Sequence, residues 1–548
     1  MLREFSHTTR AADLAALSSD DPFDILIIGG GITGVGAARD AALRGYRVAL
    51  VDKGDFASGT SSKSTKLVHG GLRYLEHYEF SLVFEAQKER RVLLDYASHL
   101  VRPQPLFFPV YKGGKYTFPK MIAGMWAYDV LSLFRNVKRH KMFRGADKVE
   151  AAMPGLRNEG LVGAANYYDA NTHDARLTLA NAQQARDAQA AQFPYVAVLG
   201  LNKDEQGRVS GAHVRDELSG DEFDIHARIV INATGPWADQ IIAMADPSHE
   251  PRMSPSKGVH IVIPKQRLPL NGKDALYVEA PQDGRPVFLI PWDYVTIIGT
   301  TDTFYDGDLD HVPVTDEDVS YLLEIANHIF PDAHLTEADV QSSWAGVRPL
   351  VKDSGATDEG STSREHSIWE QPVGLVTIAG GKLTTYRVMA EQVVDVAISK
   401  LQERFGIPER KAADTEHMPL PGAEYPLPAT NSSTLPNDVW KHLVQDYGVY
   451  AKDIARRAEE SPPLAERIVP NLPYIWSELE HAIIYEMALT PSDFLARRTW
   501  LIYDAPHRGQ EVLDELVHRM GNVMGWNDQR RAVERQRYLD EIGILAGN

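Results

Sequence analysis

From Phe23 the chain runs through Ile25, Leu26, Ile27 and Ile28, with Asp24 the one polar interruption. A run this apolar predicts a strand buried on both faces of a parallel sheet. Small and apolar residues recur at helical spacing from about Gly34 to Arg44, Gly45 stops them, and Tyr46 to Val51 predicts a second strand with Asp52 at its tip. Further along, Leu82 to Leu94 alternates polar and apolar faces as a helix, and a second helix is expected from Asp174 to about Ala191. Tyr195–Leu201 and Val209–Asp216 read as strands joined by a turn at Asp204-Glu205-Gln206-Gly207. More strands are expected at 228–233, 256–264, 287–292 and 296–302. Met389, Val393, Val396 and Leu401 are spaced for one buried helix face. Arg410 to Leu435 is Pro-rich and polar, which predicts a linker, and the pattern is helical from Pro436 to the end. Thr490-Pro491-Ser492-Asp493 has the residues of a helix start.

Between the first two strands, Gly29, Gly31 and Gly34 stand at the spacing G-x-G-x-x-G. Such glycines let the backbone turn tightly and approach a pyrophosphate, while the helix N-terminus supplies N–H groups and positive dipole. An acid at the second strand's tip accepts hydrogen bonds from an adenosine ribose, so Asp52 argues against NADP and leaves NAD or FAD. Two later segments repeat the strand-to-small-residue ending. One is Ala233-Thr234-Gly235; the other is Gly380-Gly381-Lys382-Leu383-Thr384, a double glycine before a helix.

The segment after Asp52 combines small polar residues with His, Arg and Tyr: Thr60-Ser61-Ser62, then Thr65, Leu67, His69, Gly70, Gly71, Arg73 and Tyr74. The stretch TSSKSTKLVHGGLRYLEHYEF resembles the FAD-dependent glycerol-3-phosphate dehydrogenases, flavoenzymes of the D-amino-acid-oxidase-like superfamily. DARLTLANA, Gly299-Thr300-Thr301-Asp302 and TPSDFLARRTWLIYD are similar to segments of the same family. The resemblance covers roughly Phe23 to Lys400 and a C-terminal piece. It implies an α/β plus α+β fold: a Rossmann-like FAD-binding domain, an interleaved β-sheet substrate domain and an all-helical C-terminal cap. The expected division is a tail at 1–21, an FAD-binding domain from 22–80, 160–245 and 340–402, a substrate domain from 81–159 and 246–339, a linker at 403–435 and a helical domain at 436–548.

The implied reaction takes sn-glycerol 3-phosphate to dihydroxyacetone phosphate, with hydride passing from C2 to flavin N5. A phosphate near −2 calls for bidentate Arg and point-charge Lys. Arg73, Arg348, Arg364 and Lys382 are the candidates, with Tyr74 as a hydroxyl donor. His260 is the candidate base, because Arg holds its proton too tightly; a strand histidine is also often a structural hydrogen-bonder. The catalytic set is His260, Arg348 and Lys382. FAD would be held by Gly29, Gly31, Gly34, Asp52, Thr60, Ser61, Ser62, Thr65, Leu67, His69, Gly70, Gly71, Ala233, Thr234, Gly235, Gly346 and the segment 380–384. Arg497 and Arg498 read as structural ion-pairers.

Composition narrows the partners. The net charge of −18 argues against nucleic acid, and the absence of cysteine excludes disulfides and thiolate chemistry. No metal is expected. The first residues lack a signal peptide's apolar core, and no apolar run of 18 residues occurs, so a cytoplasmic protein is expected. Val110 to Gly145 departs from this acidic background with eight basic residues against Asp129. Phe118, Met121, Ile122, Met125, Trp126 and Phe134 fall near helical spacing there, which fits either a core-facing helix or one lying in a membrane interface. The resemblance favours the membrane, reached peripherally from its inner face, with a quinone as electron acceptor. A homodimer stays open, as do an O2-using oxidase of the same substrate, an amine or amino-acid oxidase, and a non-catalytic flavin-containing binding protein.

Overall fold

The first strand, Phe23–Ile28, lies between Val48–Asp52 and Glu222–Asn232 and is parallel to both. Ala191–Pro194 extends this sheet on one side; Leu375–Gly380 and then antiparallel His366–Glu370 extend it on the other. In this computed structural model, residues 2–17, 21–71, 79–131, 138–352 and 365–545 are described. Arg73, Tyr74, Phe134, Arg135 and Arg364 lie outside them.

The central strand is buried along its whole length, as its uninterrupted apolar run requires. Helices Ile32–Leu43, Asp174–Asp187 and Tyr386–Phe405 share one core on one face. The hairpin Val196–Lys203/Val209–Asp216 and helix Ala238–Ala245 cover the other. The second expected helix stops at Asp187, and Ala191 opens a strand beside Val48–Asp52. The sheet thus holds the strand ends of Ile28, Asp52 and Asn232 at one edge, where a ligand can reach them.

The second sheet is mixed, and Ser256–Pro264 organises its site end. That strand pairs antiparallel with Val295–Gly299 and with Ser342–Arg348. Val101–Tyr111 pairs with Leu161–Thr172, which also takes Leu67–Val68. The sheets cut across the expected division at three places: Leu67–Val68, Leu161–Thr172 and Ser342–Arg348 fall within the expected FAD-binding segments, but their backbones hydrogen-bond within the second sheet. Helix Asp316–Ile329 packs on one face of this sheet. On the other, helices Phe80–Tyr96 and Phe118–Leu131 and the C-terminal region join one apolar core.

The 403–435 segment also differs from a free linker. Helix Tyr386–Phe405 runs into it, and the rest, though irregular, is pinned to the body. The Leu420 N–H donates to the Tyr96 carbonyl at 2.8 Å, and Arg39 donates to the Met418 carbonyl at 3.3 Å. After Pro436 the chain is helical, as the pattern predicts. Trp476, Leu495 and Trp500 share a core with the second sheet, so this part is packed into the molecule rather than set beside it.

Candidate active site

A cavity of about 560 Å³ runs from the strand ends of the first sheet to the surface of the second. Its dinucleotide end is built by close backbone approach. A Cβ on Gly29, whose φ is +115°, would sit 2.6 Å from the Ala233 carbonyl oxygen, and one on Gly34 would overlap the Gly29 carbonyl. The glycine spacing therefore brings the helix Ile32–Leu43 hard against two strand ends and leaves its N-terminus facing the cavity. Ser61, in the short turn Thr60–Ser62, reaches this helix start and accepts from the Ile32 N–H at 2.9 Å.

Asp52 accepts from the N–H groups of Gly30 (2.6 Å) and Gly54 (2.8 Å). Burial pushes its carboxyl up to about 6, against the pull of those two N–H groups. Each carboxylate oxygen keeps a lone pair for a ribose hydroxyl. Nearby, the Trp237 indole N–H is buried with no partner among the described residues, and Trp237 lines the cavity. A close backbone cradle, a helix N-terminus, a buried acid and an orphaned donor fit an adenine dinucleotide.

The far wall of this end is the second glycine pair. Gly380 and Gly381 have φ of +83° and +78°, and a Cβ on Gly381 would overlap the Met389 sulfur. Lys382 follows at the start of the turn Leu383–Thr385, and all of 380–384 line the cavity. Thr384 donates to the His69 carbonyl at 3.3 Å, tying this turn to the His69–Gly71 wall.

At the second sheet, His260 is buried at 2 % exposure and stacks on Trp344 with ring centroids 4.8 Å apart and planes 14° from parallel. Its Nε2 lies 2.9 Å from Thr65 Oγ1. Burial, then the charges of Arg348 and Lys66, hold its pKa well below the ordinary 6.5, so the ring is neutral at pH 7. Arg348 leaves its strand beside Gly346, where a Cβ would press on the backbone of Lys63. Its guanidinium donates to Asp302 Oδ1 (2.9 Å), Thr300 Oγ1 (3.2 Å), Ser256 Oγ and the Thr301 carbonyl. Both terminal nitrogens of the fork are thus directed by the 300–302 turn, and a quarter of the side chain stays exposed, with Arg348 lining the cavity.

Most residues picked from sequence meet here. Gly29, Gly31, Asp52, Thr60, Ser61, Thr65, Leu67, His69, Gly71, Ala233, Thr234, Gly235, His260, Gly346, Arg348 and 380–384 line one cavity. Gly34, Ser62 and Gly70 support it from behind. The Ser62 carbonyl takes the buried Lys66 ammonium, and the Gly70 N–H donates to Asp169 at 2.9 Å. Two of the hydroxyls are engaged by protein groups. Thr60 donates to the Val347 carbonyl at 2.7 Å, and Thr65 faces His260. Arg73, Tyr74 and Arg364 lie outside the described residues.

Sequence reasoning missed three contributors. Arg285 lines the cavity and donates to the Asp302 carbonyl, which places a second guanidinium beside Arg348. Asp169 lines it too, gripped by Arg90, by Tyr128 Oη at 2.6 Å and by Gly70. Lys66 is 1 % exposed and paired with Asp174 at 2.6 Å. Only Arg285 carried a signal: it follows Asp283-Gly284 at the start of a strand facing the site.

Comparison with known proteins places this geometry. Residues 24–393 match the model of the FAD dependent oxidoreductases, and residues 413–531 that of the C-terminal domain of alpha-glycerophosphate oxidase. The cradle and the match together define a FAD-dependent oxidoreductase, and FAD is its cofactor. A glycerol-3-phosphate dehydrogenase of Synechocystis is 40 % identical over 94 % of this chain and 95 % of its own length. The human mitochondrial glycerol-3-phosphate dehydrogenase is 38 % identical over 95 % of this chain and 73 % of its own. The crystal structure of glycerol-3-phosphate dehydrogenase from Bacillus halodurans complexed with FAD superposes with a TM-score of 0.80, at 30 % identity and 98 % coverage of both chains. The chain belongs to the glycerol-3-phosphate dehydrogenase family.

Proposed function

We propose that this enzyme oxidises sn-glycerol 3-phosphate to dihydroxyacetone phosphate and passes the electrons to a membrane quinone. The observation that carries the reading is the meeting, in one cavity, of a dinucleotide cradle, a neutral buried histidine and a cluster of cations. FAD, when bound, supplies the hydride acceptor. Arg348, Arg285 and Lys382 offer bidentate and point-charge contacts to a phosphate. His260 accepts the proton of the C2 hydroxyl, a task for which it must be neutral at rest. Lys382 and the start of the turn Leu383–Thr385 line the cavity, where backbone N–H groups would stabilise negative charge. We assign Arg73, Tyr74 and Arg364 to the substrate pocket on the family resemblance alone.

The quinone and the membrane rest on the surface around helix Phe118–Leu131. Met121, Met125 and Tyr128 face inward, as a core-facing helix would have them. Trp126 and Val130 face out at 51 % and 52 % exposure, as do Phe80 and Phe84 of the helix packed against it, at 49 % and 48 %. Lys120 in the first turn of helix Phe118–Leu131, and Lys115, Lys138 and Lys141 before and after that helix in the chain, are exposed. Exposed aromatic tips with lysines close by in the chain suit a peripheral membrane contact. No helix among the described residues is long and apolar enough to cross a membrane. Phe288 and Tyr277, at the cavity wall, continue through Phe108 to Tyr116, with centroid steps of 5.1, 4.5 and 5.2 Å. That aromatic chain ends beside the helix.

Reoxidation tests the acceptor. After anaerobic bleaching with glycerol 3-phosphate, a short-chain quinone is expected to restore the flavin spectrum much faster than O2 does. Faster return with O2, and peroxide as product, would make the protein an oxidase. Lys382→Met and Arg348→Ala are each expected to raise KM at least tenfold; an unchanged KM would remove them from the phosphate site.

A further inference from the structure

The proton route to His260 is narrower than the cavity suggests. Nδ1 of the ring is sealed from solvent and has no hydrogen-bond partner among the described residues. A proton arriving from the cavity therefore has Nε2 as its destination. Nε2 is covered by the Thr65 hydroxyl at 2.9 Å, and Thr65 itself lines the cavity.

Thr65 is held in that position by its neighbours. Asp174, at the first turn of helix Asp174–Asp187, accepts from both the N–H (3.3 Å) and the hydroxyl (2.7 Å) of Ser64. Its other oxygen takes the Lys66 ammonium at 2.6 Å. The Lys66 N–H donates to Ser64 Oγ at 3.0 Å, closing the clamp. The residues on both sides of Thr65 are thus fixed to one buried carboxylate, while the Thr65 hydroxyl points the other way, to the ring. Opposite, His260 is fixed by stacking on Trp344 and by its place between Val295–Gly299 and Ser342–Arg348. A Cβ on Gly299 would overlap the imidazole, so nothing but hydrogen fits there.

We propose that Thr65 is a catalytic residue of this enzyme, relaying the proton of the substrate's hydroxyl to His260. The relay requires the neutral ring to carry its proton on Nδ1, so that Nε2 accepts from the Thr65 O–H. As the substrate hydroxyl gives its proton to Thr65 Oγ1, Thr65 gives its own to Nε2. One O–H bond breaks and one forms at Thr65, which ends neutral; His260 ends as imidazolium, protonated on both nitrogens. The stacked Trp344 face stabilises that cation. The charges of Arg348 and Lys66 oppose it, which favours return of the proton through Nε2 and Thr65 once the product has left.

The inference rests on the reading of His260 as proton acceptor, and the test separates the two. Thr65→Val removes the hydroxyl at nearly constant volume, and Thr65→Ser restores it. The FAD content of each variant, from its absorbance, reports folding and the cradle. The readouts are the rate constant of anaerobic flavin reduction at saturating glycerol 3-phosphate and the 15N spectrum of the His260 ring. Thr65→Val is expected to keep its FAD and to reduce it about ten- to a hundredfold more slowly, the scale of a positioned proton transfer. Thr65→Ser is expected to recover most of that loss, and the wild-type ring to carry its proton on Nδ1. A Thr65→Val rate within about twofold of wild type, no recovery in Thr65→Ser, or a proton on Nε2 would overturn the relay. A slow His260→Asn beside a fast Thr65→Val would overturn the relay alone. An unimpaired His260→Asn would overturn the base assignment and the relay together.

Discussion

At the scale of single residues, the account turns on positions where one atom decides. Gly34 faces the Gly29 carbonyl so closely that a methyl group has no room. Gly34→Ala is expected to push the helix from the strand, costing about 1–3 kcal/mol of stability and most of the bound FAD. Thermal melting and the ratio of flavin to protein absorbance check this; a yellow, fully loaded variant would contradict it. His260 is the second such position. Its pKa is held below 6.5, first by burial and then by Arg348 and Lys66. A histidine shifted this way resists protonation in the folded state, so it stays neutral as pH falls past 6.5 and destabilises the fold as acid forces it to charge. NMR titration of the ring is expected to show no protonation at pH 6.5; a midpoint at or above 6.5 would contradict the neutral-base picture.

At the scale of elements, the turn Asp493–Arg498 joins the C-terminal region to the cofactor loop. Thr490-Pro491-Ser492-Asp493 does start it, with Asp493 accepting from the Thr490 N–H at 3.0 Å, but the turn is wide, of π type. Arg497 and Arg498 both reach Asp55, only three residues beyond Asp52, in full burial. They are the structural pairers that their sequence context predicts. Arg498→Met leaves the buried Asp55 with Arg497 as its remaining arginine partner and is expected to cost up to about 3–5 kcal/mol, with FAD released at a lower temperature than in wild type. Release at an unchanged temperature would separate this turn from the cofactor site. The helix Phe118–Leu131 is the other element, and its proposed role at a membrane is open to direct test. Trp126→Ser is expected to weaken binding to anionic vesicles about tenfold, the equivalent of about 1.4 kcal/mol, and high salt to weaken it further. Its flavin reduction in solution is expected to be unaltered. Unchanged partition would return the helix to a purely core-facing role.

What the sequence made legible at this scale was local. Gly29, Gly31 and Gly34 are constrained by their own backbone turn, so their spacing shows without knowledge of the fold. The double glycine before Lys382 shows for the same reason. Ser342–Arg348 did not show its sheet, because its partner strand lies some eighty residues earlier and its apolar run would suit either sheet. Leu161–Thr172 was misplaced likewise. Lys66 and Asp174 are paired across 108 residues, and nothing in either neighbourhood announces the other. From sequence Thr65 reads as a cofactor contact; only the fold reveals that its hydroxyl faces His260.

At the scale of the molecule, residues of both sheets line one cavity, and the C-terminal helices share the core of the second sheet. Trp500 stacks on Trp292 at 4.7 Å and faces Lys66 at 5.1 Å, so the region that matches the glycerophosphate-oxidase model backs the wall that carries His260. The chain is acidic overall, and its 110–145 segment stands out with eight basic residues against Asp129; the proposed membrane contact rests on that segment. The central claim is a flavin facing a cationic pocket cut for a phosphate ester. It is tested by adding glycerol 3-phosphate, glycerol and a panel of amino acids separately to the anaerobic, FAD-loaded protein and following absorbance near the flavin maximum. Bleaching by glycerol 3-phosphate alone is the result expected. Bleaching by an amino acid, or equally by glycerol without its phosphate, would contradict the account.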